Sequence, residues 1–247
     1  MVRRANSRRG HKILRKERSI ILIAAEGSNK TERAYFIEFN RLQKKYKIIM
    51  AGGNNTDPVK IVQDAADSAK KKDLDLKSGD LVYAVFDTDV GKEKQIEKTR
   101  KIAKNEKVGL ILSNPCFELW LLMHFTFSTK SYSNNKAVCD ELMRKWPKYK
   151  KNINSFEEIR GKQECAIKNA KKLKTFHIEM SEKTEIENWN PSTDVYQLVE
   201  MLSVQAQVVV DEGVAVGRDG AGPLAVAFGA GHNLSFGSNR WVVSVNA

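Results

Sequence analysis

The chain has 247 residues, of which 41% are hydrophobic, so it can bury a substantial core in one large domain or in one domain with a smaller companion. No apolar run approaches the roughly 18 residues of a membrane-spanning helix, and the N-terminus has no apolar segment of the secretory type, so we expect no membrane association through a span. The net charge of +12 at pH 7 favours a polyanionic partner.

Three cysteines, Cys116, Cys139 and Cys165, lie far apart in the sequence. Their odd number and wide spacing predict neither a disulfide framework nor a zinc site. Free thiols are typical of a reducing compartment, so we expect a cytoplasmic protein.

The N-terminus is strongly basic, because residues 1–20 contain eight Lys or Arg and one Glu. Such a cluster favours polyanions, with nucleic acid as the first expectation and an anionic membrane surface as the second. A solvated tail that only aids solubility is the alternative. The candidate nucleic-acid-binding residues of this arm are Arg8, Arg9, Lys12 and Arg15.

An uninterrupted apolar run, Ser19–Ala25, predicts the first core strand. It ends at Glu26-Gly27, where glycine permits a tight turn before a helix begins. Lys30 follows in the same loop, which lacks the Gly-x-x-x-x-Gly-Lys-Ser/Thr pattern of a P-loop. The helix is expected to pack an apolar stripe into the core, consisting of Tyr35, Phe36, Phe39, Leu42 and Tyr46.

Further strands alternate with helices after this first unit. Strands are predicted over residues 48–50, 81–86 and 108–112, and helices over residues 58–72 and 92–104. This alternation implies an α/β fold with a mostly parallel sheet and helices on both faces.

Asp87 and Asp89 follow the buried strand at residues 81–86. Because alternate side chains of a strand share a face, we expect both carboxylates on one face where the strand ends. That end of an α/β sheet binds ligands, and paired carboxylates suit Mg²⁺ or Mn²⁺. Glu26 holds the corresponding place after the first strand. Alternatively, the aspartates merely end the strand and cap the next helix.

The strand at residues 108–112 leads into another helix, for which Ser113 or Asn114 is the expected cap. Glu118 would lie one turn inside, among apolar neighbours. A carboxylate in such surroundings needs a partner, and the sequence leaves open an ion pair with a basic side chain or a metal-binding or catalytic role. Cys116 is expected to be a core residue.

Residues 130–174 contain thirteen Lys or Arg and five Asp or Glu, and helices are predicted over residues 134–146 and 155–175. Basic residues mixed with aromatic ones fit a nucleic-acid groove. A solvated helical face with its aromatic residues turned inward is the alternative. The aromatic residues are Trp146, Tyr149 and Phe156, and the candidate phosphate contacts are Arg144, Lys145 and Lys148.

A last helix is predicted to begin within residues 190–194. The composition changes after about Gln205, since residues 206–247 hold seven of the 15 glycines and only five charged residues. An added β segment, a frame-shifted end and a remnant of cloning are all compatible with this change. We assign this tail no function.

The acidic residues that follow two separate strands resemble the TOPRIM domain. Glu26-Gly27 matches its first acidic motif and Asp87-Thr88-Asp89 its second, and the resemblance covers about residues 18–125. It implies a Rossmann-like sheet in which Asp87 and Asp89 hold Mg²⁺ and Glu26 is a metal ligand or a general acid or base.

Four motifs in order resemble the RloB family of bacterial restriction and abortive-infection loci. They are AEGSNKTE at residues 25–32, DTD at 87–89, SNPCFELW at 113–120 and NPST at 190–193. The resemblance implies a nuclease of the TOPRIM type that depends on Mg²⁺ or Mn²⁺ and acts on RNA, tRNA or DNA in antiphage defence. Glu118 is similar in place to an extra acidic ligand of the nuclease branch, and related systems include an ATPase partner.

These inferences divide the chain into a basic arm (residues 1–17), a TOPRIM-like catalytic domain (18–128), a smaller basic helical extension (129–204) and a Gly/Val-rich tail (205–247). The alternative function is a non-catalytic nucleic-acid-binding or effector subunit that works with an ATPase partner. A nucleotidyl transferase with the same acidic site is a weaker third reading. The sequence leaves the substrate and the oligomeric state open.

Overall fold

A five-stranded sheet organises most of the molecule, which is represented by a computed structural model. The structure describes residues 18–27, 31–88, 93–151, 154, 156–211, 232–237 and 240–245. The strands are β1 (Ser19–Ala25), β2 (Tyr46–Met50), β3 (Leu81–Asp87), β4 (Gly109–Asn114) and β5 (Ser192–Thr193). Their order is β2-β1-β3-β4-β5, with β5 antiparallel to β4 and all other neighbours parallel.

Helices connect the strands and continue after β4. They are α1 (Thr31–Ile37), α2 (Phe39–Leu42), α3 (Pro58–Lys71), α4 (Glu93–Glu106), α5 (Glu118–Met123), α6 (Asn135–Lys145), α7 (Phe156–Ile159), α8 (Gln163–Met180) and α9 (Val195–Asp211). The predicted α/β fold with a mostly parallel sheet and helices on both faces is therefore confirmed.

The two faces of the sheet carry different helices. Helices α3 and α4 pack against one face, in a cluster that includes Leu22 and Phe86. Helix α1 packs on the other face, against Ile21, Ile23 and Val85. Because β-α-β crossovers are right-handed, the connection from β1 to β2 and the connection from β3 to β4, which run in opposite directions, cover opposite faces.

The helices after β4 share the hydrophobic core of the sheet. Side chains of α5, α6, α8 and α9 belong to the same buried cluster as α1 and Val85. Trp120 of α5 is the largest fully buried side chain of this core. The described residues of Met1–Asp211 form one unit, and those of Glu212–Ala247 form a second.

Several predicted boundaries were wrong, two of them because strand pairing with residues distant in sequence fixes them. Ser113 and Asn114 do not cap a helix: they end β4, and α5 begins only at Glu118. Tyr46 belongs to β2 instead of the helix before it. The predicted helix at residues 155–175 is divided by a 3-10 turn at Arg160–Lys162 into α7 and α8.

The segment at residues 190–194, predicted to start a helix, contains β5. Asn190 donates from Nδ2 to the carbonyl oxygen of Tyr132 (2.7 Å) and accepts from the Tyr132 amide at Oδ1 (2.9 Å). The hydroxyls of Thr193 and Ser113 are hydrogen-bonded at 2.9 Å. Three residues of the NPST motif therefore join β4 to the helical half, since Ser192 also pairs with Asn114.

The second unit contains two described strands, β6 (His232–Gly237) and β7 (Arg240–Val245). They are antiparallel, with His232 opposite Val245. A β segment was one of the alternatives that the composition of the tail left open. Among the helices that the structure describes, none is long and apolar enough to cross a membrane.

Replacing Asn190 with alanine is expected to lower the free energy of unfolding by roughly 2 kcal/mol, because it leaves the partly buried amide and carbonyl of Tyr132 without their partners. Urea unfolding of the full chain measures this change. The control is Gln197→Ala, which removes an exposed bond to Asp194 and should change stability by less than about 0.5 kcal/mol. Equal effects of the two substitutions would contradict the structural role of Asn190.

Candidate active site

The carboxyl ends of β1 and β3 form a topological switch point. From β1 the chain runs through α1 to β2 on one side, and from β3 it runs through α4 to β4 on the other. The loops after these neighbouring strands therefore diverge, which opens a crevice at the sheet edge where α/β proteins bind ligands.

Glu26 lies in a bend directly after β1 and is half-buried. Gly27 follows with a φ of 67°, a conformation that favours glycine, so the chain turns out of the sheet at this point. The amide of Gly27 donates to the carbonyl oxygen of Asn55 (3.1 Å). The Glu-Gly pair thus combines an acidic side chain with the turn that ends the strand.

Asp87 is the last residue of β3, beside Ser113 of β4. Its Oδ1 accepts a hydrogen bond from the Phe117 amide at 2.9 Å. This bond ties the end of β3 to the segment that begins α5. Since Ala25 pairs with Val85 in the register of β1 and β3, Glu26 and Asp87 end neighbouring strands at the same edge.

Glu118, the first residue of α5, is only 4% exposed. Its Oε1 accepts a hydrogen bond from the Tyr149 hydroxyl (3.1 Å) and lies 3.6 Å from the Lys151 ammonium nitrogen. The ion pair that was one of two sequence interpretations of Glu118 is therefore present. We call Cys116, Glu118, Cys139, Tyr149 and Lys151 the Glu118 cluster.

The negative charge of Glu118 raises the pKa of its neighbours Lys151 and Tyr149 in the Glu118 cluster. The pKa of Lys151 is raised, chiefly by the negative charge of Glu118 and also by Asp87. Burial raises the pKa of Tyr149, and the charge of Glu118 adds to this effect. Cys116 is confirmed as a core residue, and its pKa is raised by a side-chain hydrogen bond with Cys139 and by burial.

The predicted metal ligands are only partly brought together. Glu26 and Asp87 share the sheet edge, whereas Glu118 is held by Tyr149 and Lys151. Asp89 lies outside the described residues. Among the residues that the structure describes, no three His, Cys, Asp or Glu side chains form a group that could hold a metal ion.

Of the predicted nucleic-acid contacts, some lie within the described residues and others do not. Arg8, Arg9, Lys12, Arg15 and Lys30 lie outside the described residues. Arg144, Lys145 and Lys148 are exposed, and Arg144 pairs with Glu141 at 3.3 Å.

The aromatic residues of this region face inward. Trp146, Tyr149 and Phe156 are buried in the core, so they cannot stack on bases. The indole nitrogen of Trp146 donates to Glu158 at 3.0 Å. Of the two interpretations of this region, the structure favours the solvated basic face with inward aromatic residues.

Two lysines of the basic region at residues 130–174 that the sequence analysis did not single out lie on α8 and the turn before it. The ammonium of Lys162 is 4.1 Å from the ring centroid of Phe125, and that of Lys172 is 4.3 Å from that of Phe127. Both lysines are exposed. We call Lys162 and Lys172 the α8 lysine pair. The aromatic partners lie more than 35 residues away, so no local pattern indicated them.

Adjoining aromatic rings and the Tyr149 hydroxyl connect Lys162 to Glu118. The Phe125 ring lies 5.3 Å from that of Trp146, which lies 5.6 Å from the Tyr149 ring. Tyr149 in turn donates to Glu118. Lys162 is thus linked to Glu118 through adjoining side chains, whereas Lys172 contacts Phe127.

The strand order and the acidic sheet edge define a mixed α/β protein with a candidate ligand site at its switch point. A family model described as RloB-like protein matches residues 21–202, from β1 into α9. Because the match spans more than half of the chain and includes all four sequence motifs, the chain belongs to the RloB-like protein family. Neither a curated protein nor a solved structure was found to match it.

The ion pair of Glu118 has a measurable electrostatic consequence. In Glu118→Gln the pKa of Lys151 is expected to fall, because the carboxylate charge that favours the ammonium form is lost. Lys151 would then lose its proton at a lower pH than in the wild type, which an NMR titration of its side chain measures. Glu157→Gln, an exposed carboxylate paired with Arg160, is the control and should leave this pKa unchanged. An unaltered pKa in Glu118→Gln would show that the pair does not form.

Proposed function

We propose that the protein is a divalent-metal-dependent nuclease that hydrolyses phosphodiester bonds of RNA, tRNA or DNA in bacterial antiphage defence. The observation that carries the proposal is the position of Glu26 and Asp87, which end the two strands flanking the switch point. Ligands of open α/β sheets bind at this place. The same carboxylates belong to the two motifs that resemble the TOPRIM domain, which supports the assignment.

The donor chemistry of this edge suits Mg²⁺ or Mn²⁺, which prefer carboxylate oxygens. Asp87, Asp89 and Glu26 would hold the ion. A bound divalent ion at such a site polarises the phosphate and lowers the pKa of a water. Glu118 fits less well as a ligand, because Tyr149 and Lys151 already engage its Oε1.

The side chains around the acidic edge would position the substrate. The Phe117 amide fixes the orientation of Asp87, and Tyr149 holds Glu118. Lys151, with a side chain 60% exposed, can turn its ammonium towards a phosphate oxygen. Glu26 is the candidate general acid or base, since it lies on the neighbouring strand end.

Nucleic acid would be held by exposed cations next to this site. Lys162 of the α8 lysine pair connects to the Glu118 cluster through Phe125, Trp146 and Tyr149, while Lys172 lies over Phe127. Lys145 and Lys148 add exposed positive charge after α6. Contacts to phosphates by such residues are independent of sequence and fall with salt concentration.

Asp87→Asn is expected to lower the rate of cleavage at least about 100-fold, because even residues that only orient a metal ligand contribute 10- to 100-fold. The measurement is cleavage of RNA, tRNA and DNA pools by the full chain with Mg²⁺ or Mn²⁺, with binding to the same pools recorded in parallel. Binding should be largely retained.

Asp67→Asn is the matched control, since it removes one carboxylate charge from the exposed face of α3. It should cleave like the wild type. Cleavage by Asp87→Asn at the wild-type rate would show that the site is wrongly assigned. If the isolated chain is inactive, the assay is repeated with an ATPase partner and a phage trigger, which the family resemblance implies.

The double substitution Lys162→Gln and Lys172→Gln is expected to weaken nucleic-acid binding and to reduce the slope of log affinity against log salt by about 1.4 to 1.8, as for the loss of two phosphate contacts. Titrations of labelled nucleic acid at several salt concentrations give this slope. Lys70→Gln with Lys101→Gln removes the same charge from α3 and α4 and should leave the slope nearly unchanged. Equal slopes for both double variants would place the binding surface elsewhere.

A second candidate function is a non-catalytic nucleic-acid-binding or effector subunit that works with an ATPase. The observation that favours it is the ion pair between Glu118 and Lys151, which already neutralises one predicted metal ligand. This function predicts retention of nucleic acid without turnover, with or without the partner. Cleavage that depends on Asp87 would exclude it.

A further inference from the structure

Helices α2, α8 and α9 line a cavity that the candidate active site does not use. Its volume is about 550 Å³, within the roughly 300 to 1,000 Å³ of small-molecule sites. The described residues that line it include none of the acidic sheet edge and none of the Glu118 cluster. Its apolar floor consists of Phe39 and Leu42 of α2, Ile167 of α8 and Leu202 of α9.

The side chain of Gln163, at the start of α8, brings a carboxamide into this apolar surface. Gln163 is only 9% exposed. Its Nε2 donates to the Tyr35 hydroxyl and its Oε1 accepts from the Ser203 hydroxyl, both at 3.4 Å. These bonds are longer than the about 2.5 to 3.2 Å of well-formed ones, and a carboxamide can both donate and accept more than once. A ligand in the cavity can therefore use hydrogen-bonding capacity that the protein satisfies weakly.

The mouth of the cavity carries more positive than negative charge. Its charged side chains are three cations and two carboxylates, namely Arg160, Lys168, Lys171, Glu164 and Glu200. Lys171 and Glu200 form an ion pair and neutralise one another. Arg160 and Lys168 are exposed, and Arg160 makes a loose pair with the exposed Glu157 at 3.6 Å. Both cations can therefore turn towards an anionic group at the mouth.

We propose that this cavity binds an adenine nucleotide, with the base on the apolar floor and the phosphate at the mouth. The carboxamide of Gln163 presents a donor beside an acceptor, the pattern that pairs with N6 and N7 of adenine. The apolar side chains cover the faces of the ring. Arg160 and Lys168 supply charge-assisted hydrogen bonds to the phosphate oxygens.

Two simpler anions fit the lining less well. A fatty acid would place hydrocarbon against the carboxamide of Gln163, which is costly for a buried polar group. Inorganic phosphate would reach the cations and leave the apolar floor unused. A flat ring with a hydrogen-bonding edge and a phosphate uses all three parts of the cavity.

The test is calorimetric titration of adenosine 5′-monophosphate into the full chain in EDTA, so that no divalent ion at the sheet edge contributes. Saturable binding is expected, and adenosine and ribose 5-phosphate should each bind at least about tenfold more weakly, because each lacks one set of hydrogen bonds. Absence of saturable binding at millimolar nucleotide would overturn the proposal. The outcome does not depend on whether the protein is a nuclease.

Arg160→Gln with Lys168→Gln should weaken binding of the nucleotide at least about tenfold and leave binding of adenosine unchanged. The control is Lys98→Gln with Lys104→Gln, which removes the same charge from exposed positions of α4 and should leave the nucleotide affinity unchanged. Equal affinities of the two double variants would overturn the place of the phosphate.

Gln163→Met keeps the length of the side chain and removes its hydrogen bonds, so it should weaken binding of the nucleotide but not of ribose 5-phosphate. Circular dichroism verifies that this variant is folded. Photolabelling of the wild type with 8-azidoadenosine 5′-monophosphate locates the base without any substitution. The labelled peptides should come from α2, α8 or α9, and a label confined to other peptides would overturn the site.

Discussion

The right-handed sense of β-α-β connections is the constraint on which this molecule depends. Because the connections from β1 and β3 run in opposite directions along the sheet, it places α1 on one face and α4 on the other, and α3 joins α4. Since β1 and β3 are parallel neighbours, the same edge receives Glu26 from one strand and Asp87 from the other. The Phe117 amide then attaches the start of α5 to Asp87, which brings the buried Glu118 to the neighbourhood of this edge.

The buried carboxylate of Glu118 has its partners in the second half of the chain. Leaving Glu118 without a partner in the core would be costly, and the segment after α6 supplies both Tyr149 and Lys151. The helices at residues 129–204 thus complete the core and the charge balance of the sheet, and they are not merely attached to it. The NPST motif has a structural role, since Asn190 forms hydrogen bonds with the Tyr132 backbone and β5 extends the sheet.

Much of the sheet could be predicted from sequence because its signals are local. The apolar runs of β1 and β3 and the helical periodicity of α3 each identify one element, and Asp87 was found from its place at a strand end. β5 was missed because its two residues pair with a strand about 80 positions earlier, and this pairing also keeps Ser113 and Asn114 in a strand. Tyr149 and Lys151 could not be found as partners of Glu118, since a contact over 31 or more residues leaves no periodic pattern. The inward orientation of Trp146 likewise depends on Phe125 and Glu158, which only the fold brings to it.

Glu118 and Lys151 differ in solvent exposure, so the positive charge of the pair faces solvent and the negative charge is buried. The lysine reaches solvent with 60% of its side chain, while the carboxylate beneath it reaches solvent with only 5%. An ion that approaches from solution therefore meets the positive charge of Lys151 before the negative charge of Glu118. This order attracts an anion and repels a cation. A cation that approaches Glu118 therefore competes with the Lys151 ammonium and the Tyr149 hydroxyl, which already engage the same carboxylate oxygen.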